Sequence, residues 1–305
     1  MVSFWGTDNL NALEWVDALY PGDNGFVGGS VAATEHSVMC AGTAEENELE
    51  TYRRLIRLYP TGIVSAVSDT YDLWNVITNI LPELKDDIMA RDGKLVIRPD
   101  SGLPEDILCG TPEMQPGREE YYYAVQKPAG LEPRGTDLQK AVIGGKGDKR
   151  TPEQKGVIEL LWEIFGGTVN AKGFKTLDPH IGAIYGDSIT MERAELIFSR
   201  LAAKGFASDN IVFGAGSYFF QGVTRDTFGS AMKATWVQIN GKGLNIQKDP
   251  KTGHSKKSAT GRLAVLKDAD GELYLVQKAT PEQDCLLYTS PSPRDRTRSR
   301  MPSSA

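Results

Sequence analysis

Short apolar runs that stop on acidic or glycine-bearing turns recur along the chain, and most are followed by helix-like spacing. Residues 2–5 end in Gly6-Thr7-Asp8, 63–67 in Ser68-Asp69, and 94–97 in Arg98-Pro99-Asp100-Ser101-Gly102. Residues 181–185 end in Gly186-Asp187, and 211–213 in Gly214-Ala215-Gly216. Each run has the length of a buried strand. Pro99 removes a backbone donor and stiffens the chain, so a sheet should end there, and Gly102 frees the turn. Helical spacing joins Leu10, Leu13, Val16 and Tyr20. A strand running into a helix is expected over 30–37, and helices over 45–59 and 71–81. Two more are expected over 152–165, with an early Pro, and 191–204, with Gly205 as its stop. From residue 230 the period changes to that of strands, at 231–239, 244–248, 262–267 and 272–277, with Asp268-Ala269-Asp270-Gly271 as a hairpin turn.

This pattern predicts an α/β domain over 1–229 and a smaller, mainly β module over 230–284. Residues 103–150 are rich in Gly, Pro and charge and read as a surface insertion, a hairpin or lid. Gly144-Gly145-Lys146-Gly147 lacks the spacing of a phosphate loop and reads as plain loop. Residues 285–305 set arginines among Ser and Pro and read as a disordered, foreign tail. If the first five strands are parallel, their tips share one mouth, the usual place for an α/β active site. Each Asp taken singly suits a helix N-cap equally well; four at equivalent places, with Arg98, favour a site.

The 305 residues carry a net charge of −6, with 40% hydrophobic and 24% charged residues. The acidic balance argues against a nucleic-acid binder. The sequence has no apolar run of membrane-spanning length and no secretory signal, so a soluble, cytoplasmic protein is expected. Cys40, Cys109 and Cys285 form no metal or disulfide pattern.

Of the three histidines, His180 after Asp178-Pro179 reads as structural and His254 in a Lys-rich turn as solvated. His36 follows Glu35 at the mouth end of a short strand. Glu35 and Asp69 are its expected neighbours, holding one ring nitrogen and leaving the other nucleophilic. No histidine pair has zinc spacing. Gly214-Ala215-Gly216-Ser217, with Arg225 close behind, suits an anion held by backbone N–H groups. Lys233, Lys248, Lys256, Lys257 and Arg262 supply cations, either as a solvated rim or as phosphate partners. Acids for ribose hydroxyls or Mg²⁺, with cations for phosphates, suggest a phosphorylated sugar.

Taken in order, these motifs resemble the nicotinamide phosphoribosyltransferases of the type II phosphoribosyltransferase family. They run from Gly6-Thr7-Asp8, through Glu35-His36-Ser37, Ser68-Asp69-Thr70 and residues 97–102, to Gly186-Asp187, residues 213–225 and Lys248-Asp249-Pro250, and so cover most of residues 2–266. The resemblance implies an incomplete TIM-like parallel barrel with a β module. The implied reaction joins nicotinamide to 5-phosphoribosyl 1-diphosphate, coupled to ATP through a phosphohistidine. It implies His36 as that residue, with Glu35 and Asp69 around it, and Asp8 as the group selecting amide over acid. Ser65 and Arg98 fall near the carboxamide. Asp100, Gly186 and Asp187 fall on the ribose side, and Asp69 with Asp100 on the Mg²⁺ side. Gly216, Arg225 and Lys233 match phosphate contacts, and Lys248 fits the basic rim. Ser217 stands where a second Gly is usual, and its Cβ would crowd the phosphate. The resemblance also implies a homodimer whose long N-terminal part, with ring-stacking aromatics, precedes Met1, so that the chain reads as a truncated C-terminal part. A nicotinate-specific enzyme and an inactive phosphoribosyl-binding fragment are the alternatives.

Overall fold

The computed structural model describes residues 31–111, 149–214, 232–251, 257–268 and 270–280, with Glu14, Ala18, Leu19, Thr227 and Gln283 besides. The expected strand at 2–5, most of the 103–150 stretch, the turn at 215–217 and the tail lie outside these residues.

Among the described residues up to 213, helices separate the strands of the main sheet. β1 (Ala32–Ala33) leads into α1 (His36–Glu45) and α2 (Glu48–Leu58). The helix expected over 45–59 is α2, which starts three residues later and ends one earlier. Asn47 sets its start as the N-cap: its Oδ1 accepts from Glu50 N at 2.9 Å. α2 buries Thr51, Tyr52, Leu55 and Ile56, whereas Tyr59 falls beyond its end and is exposed. β2 (Thr61–Val67) follows, then a broken helical path expected as one helix. Asp72 caps α3 (Leu73–Asn75), and the turn widens to a π-helix at Val76–Ile80. α4 (Leu81–Glu83) and α5 (Lys85–Met89) complete it. The widened turn precedes Pro82, which has no N–H for the preceding turn.

β3 (Asp92–Arg98) and α6 (Pro104–Cys109) come next. Across the stretch outside the described residues, α7 (Pro152–Lys155) starts with Thr151 and Gln154 in a reciprocal capping box. Gly156, at φ 81°, then separates it from α8 (Val157–Phe165), so the helix expected over 152–165 is split. A small hairpin that the sequence pattern did not suggest, β4 (Gly167–Val169) with β5 (Lys175–Leu177), precedes β6 (Ile181–Tyr185). α9 (Met191–Ala203) and β7 (Ile211–Phe213) close the series. Gly205 follows α9 at φ 75°, as a helix stop should.

β1, β2, β3, β6 and β7 form one five-stranded sheet in that order, and every pairing is parallel. Val64, Ala66, Leu95 and Ile97 have no exposed surface. Their burial reflects helices packed on the sheet, which parallel strands require. The registers Val67↔Arg98, Ile97↔Ala183 and Tyr185↔Phe213 put all the strand exits at one end. The expected common mouth is present for these strands.

Beyond β7 the described elements are strands alone. β8 (Trp236–Ile239) and β9 (Lys242–Asn245) form a hairpin. Asn240 and Gly241 make its turn at φ 50° and 81°, the geometry Asn-Gly favours. This turn starts β9 two residues earlier than the expected 244. β10 (Leu263–Lys267) and β11 (Leu273–Gln277) form the second hairpin. Asp268 Oδ1 accepts from the Asp270 and Glu272 backbones in its turn.

One crossing fixes the ends of α6 and α7. A Cβ on Gly156 would stand 2.2 Å from Gly110 N, and one on Gly110 2.2 Å from Gln154 O. Both glycines have positive φ, 85° at Gly110 and 81° at Gly156. Gly156→Ala is expected to cost more than about 2 kcal/mol, from backbone strain and steric conflict together; urea unfolding checks this.

Candidate functional site

The site begins where β1 meets α1. Glu35 is the extended N-cap residue and His36 the first helical residue. Thr34 below them is buried, and its Oγ1 accepts from Val67 N at 2.9 Å, tying this corner to the exit of β2. His36 Nδ1 lies 3.0 Å from Thr70 Oγ1. Its Nε2 lies 2.6 Å from Lys248 Nζ, 3.3 Å from Asp100 Oδ2 and 3.9 Å from Asp69 Oδ1. Exits of three neighbouring strands and one segment from the β hairpins thus meet at a single ring.

These contacts assign the neutral ring's tautomer. An ammonium has donors only, so Nε2 accepts from Lys248 and the ring proton sits on Nδ1, donating to Thr70. With that tautomer, Asp100 Oδ2, 3.3 Å from Nε2, pairs with the ammonium 3.7 Å away.

Several sequence expectations change here. Glu35 does not hold His36. Its side chain is 71% exposed and lies 3.6 Å from Arg98 Nη2, because successive residues at a helix start point in different directions. Arg98 also donates to Thr34 O at 3.1 Å. Lys248 belongs to no solvated rim: its side chain is only 4% exposed. Thr70, not Glu35 or Asp69, holds the second ring nitrogen. Lys233 is exposed, and no contact among the described residues ties it to this cluster. Asp8, Gly216, Ser217 and Arg225 lie outside the described residues.

Asp69 has no exposed side-chain surface, and neither of its oxygens has a hydrogen-bond partner among the described residues. Ser65 Oγ, Arg98 Nε and Ser101 Oγ are likewise buried without partners. Each such atom costs about 1–3 kcal/mol when left alone. Their concentration at the exits of β2 and β3 marks a place built for a polar ligand. Tyr185 and Thr70 are neighbours of the cluster to which the motif reading gave no role. The Tyr185 hydroxyl donates to Gly102 O at 3.1 Å and so pins the turn carrying Asp100. Burial, reinforced by the charges of Asp187, Asp69 and Asp100, pushes the Tyr185 phenol far above its ordinary range. That phenol stays protonated and sits among three carboxylates.

Asp187 leads into Ser188, at φ 51°. Arg193 Nη1 holds that turn through Ser188 O and Oγ, at 2.8 and 2.7 Å. At the neighbouring exit, a Cβ on Gly214 would lie 3.0 Å from Gly186 Cα. The two glycines therefore let β6 and β7 leave the sheet in near contact.

No group of three His, Cys, Asp or Glu side chains suited to a metal occurs among the described residues. Mg²⁺ commonly takes one or two carboxylates and completes its shell with water and substrate phosphates. The unpartnered Asp69 carboxylate and Asp100 fit that role. No helix among the described residues is long and apolar enough to cross a membrane.

The nicotinate phosphoribosyltransferase (NAPRTase) family model matches residues 1–283. The chain belongs to this family. Within it, the chain is 48% identical over 298 residues to a nicotinamide phosphoribosyltransferase of Acinetobacter baylyi, covering 95% of this chain and 52% of that relative. A Mycoplasma pneumoniae protein of the same name is 38% identical, over 80% of this chain and 47% of the relative. One from Xanthomonas campestris pv. campestris is 33% identical, over 88% and 47%. The chain therefore spans about half the length of the curated relatives it matches. Family membership agrees with the motif resemblance.

Two expectations follow. Nitrogen-15 NMR of the neutral His36 ring should show the proton on Nδ1, and Thr70→Val should weaken that preference. Below the site, burial with added repulsion from Asp72 lifts the Glu48 carboxyl from its ordinary 4.5 to about 7. The native state then holds a proton that the unfolded chain releases, so stability falls as pH rises from 4.5 through 7. Glu48→Gln should flatten that fall in denaturation curves taken across this range.

Proposed function

We propose that the chain carries the phosphoribosyl-transfer centre of a nicotinamide phosphoribosyltransferase acting in NAD salvage. Nicotinamide and 5-phosphoribosyl 1-diphosphate would give nicotinamide mononucleotide and diphosphate. The observation that carries the reading is the convergence of His36, Asp69, Asp100 and buried Lys248 at parallel strand exits. The names of the relatives support it.

The bond from C1 of the ribose to diphosphate breaks as the nicotinamide ring nitrogen bonds to C1. Positive charge on the ribose is met by the carboxylates of Asp100 and Asp187. Asp69 and Asp100 would hold Mg²⁺, which when bound would supply charge neutralisation for the leaving diphosphate. Ser65, Arg98 and Ser101 offer unpartnered polar atoms to the substrate. Arg225, Gly216, Ser217 and Lys233 remain the phosphate contacts implied by the motif, and Asp8 the group that prefers the amide. In the ATP-coupled step, the His36 Nε2 lone pair attacks the terminal phosphorus while the bond to ADP breaks and ADP takes the electron pair. Thr70 keeps the ring oriented. The parallel sheet belongs to a TIM-like barrel, and the enzyme works as a cytoplasmic homodimer.

The family's name makes nicotinate the second candidate, and a fragment that binds without turnover the third. Radiolabelled nicotinamide, with and without ATP, separates them. The expected result is labelled mononucleotide, increased by ATP and preferred over nicotinate. His36→Ala should abolish the ATP increase, and Asp69→Asn should lower turnover by roughly 10²–10³-fold. Full ATP stimulation in His36→Ala, or preference for nicotinate, would overturn the reading.

A further inference from the structure

We infer that Lys248 caps the phosphate-accepting nitrogen of His36 and then transfers its hydrogen bond to the incoming phosphoryl group. This rests on the phosphohistidine reading above and assigns Lys248 a role that a basic rim would not have. Its ammonium is 2.6 Å from Nε2 and nearly fully buried. A buried cation needs partners, and among the described residues the ring nitrogen and Asp100, 3.7 Å away, are two of them. While Nε2 accepts from the ammonium, its lone pair is occupied and cannot attack phosphorus. A terminal phosphoryl oxygen is a stronger, charged acceptor. Its arrival draws the ammonium away, frees the lone pair and balances the charge as the phosphorus–nitrogen bond forms. Lys248 loses no proton in the step.

The backbone around Lys248 is suited to such a swing. Lys248 N donates to Ser258 Oγ at 3.0 Å, and Ser258 N donates back to Lys248 O at 3.0 Å. Asp249 N donates to Thr70 O at 3.1 Å and Lys251 N to Tyr71 O at 2.7 Å. On the other side, Cys40 Sγ donates to Gln247 O at 3.3 Å. The main chain is strapped over residues 70–71 while the four-carbon stem keeps its torsions. Thr70 serves both parts, holding the ring through its hydroxyl and the strap through its carbonyl. Asp69, Asp100, Glu35 and Arg98 are the other charged groups around the ring, and only Lys248 puts a cation on Nε2 among the described residues.

The test compares the wild-type chain with Lys248→Met and Lys248→Arg. One readout is the rate of ³²P transfer from γ-labelled ATP to His36. The other, needing no ATP, is the rate of His36 modification by diethyl pyrocarbonate, followed by peptide mass spectrometry with His180 as the internal reference. In Lys248→Met, phosphoryl transfer should fall roughly 10²–10³-fold while His36 modification rises several-fold and His180 does not change. Lys248→Arg keeps the charge and should retain labelling within about tenfold of wild type. Wild-type labelling in Lys248→Met, or no rise in His36 modification, would overturn the assignment of Lys248. Failure of the wild-type chain to take up label would instead defeat the phosphohistidine reading, and the ATP-free comparison would still decide the cap.

Discussion

Parallel pairing of β2 with β3 is the constraint on which the site depends. The two strands run in register over seven residues, from Thr61↔Asp92 to Val67↔Arg98. Parallel strands end on the same side, so Asp69 and Asp100 are delivered to one place by hydrogen bonds made far below them. Apolar burial at Val64, Ala66, Leu95 and Ile97 keeps that register from slipping, since a shift by one residue would turn these side chains outward. The sheet positions the chemistry, and the helices keep the sheet dry.

The second ingredient comes from outside the sheet. The segment after β9 crosses residues 70–71 and pushes one cation into a cluster of acids. Among the described residues, this segment joins the β hairpins to the α/β part through main-chain bonds, the buried Lys248 and side-chain bonds from Cys40 and Lys251. Polar atoms left unpartnered around it are a cost borne by the free protein. A ligand that satisfies them recovers that cost on binding, which gives a polar substrate an advantage that an apolar one lacks.

The strands were legible because each is a short apolar run closed by Asp, Gly or Pro, and the acids at their tips followed directly. Roles set by distant partners were not. Lys248 is 212 positions from His36, and an isolated lysine in sequence reads as surface because most lysines are. Glu35 adjoins His36 in the chain, yet the helix start turns it toward Arg98. Thr70 carried no distinctive spacing, and its value appears only once His36 is placed beside it. Among elements, the split of the helix expected over 152–165 traces to the positive-φ geometry of Gly156, which outweighed continuous apolar spacing. The β4–β5 hairpin was missed because its strands are short and largely exposed.

The glycine crossing between α6 and α7 has an architectural result. Thr111 N bonds to Glu153 O at 2.7 Å, and Arg150 is anchored on buried Glu159, which also binds Lys204 at 2.9 Å. The polypeptide thus departs and returns at almost the same point, through a sealed doorway. Because closing a longer excursion adds only slowly to the entropic penalty, evolution can lengthen, shorten or redecorate what lies between without disturbing the catalytic floor.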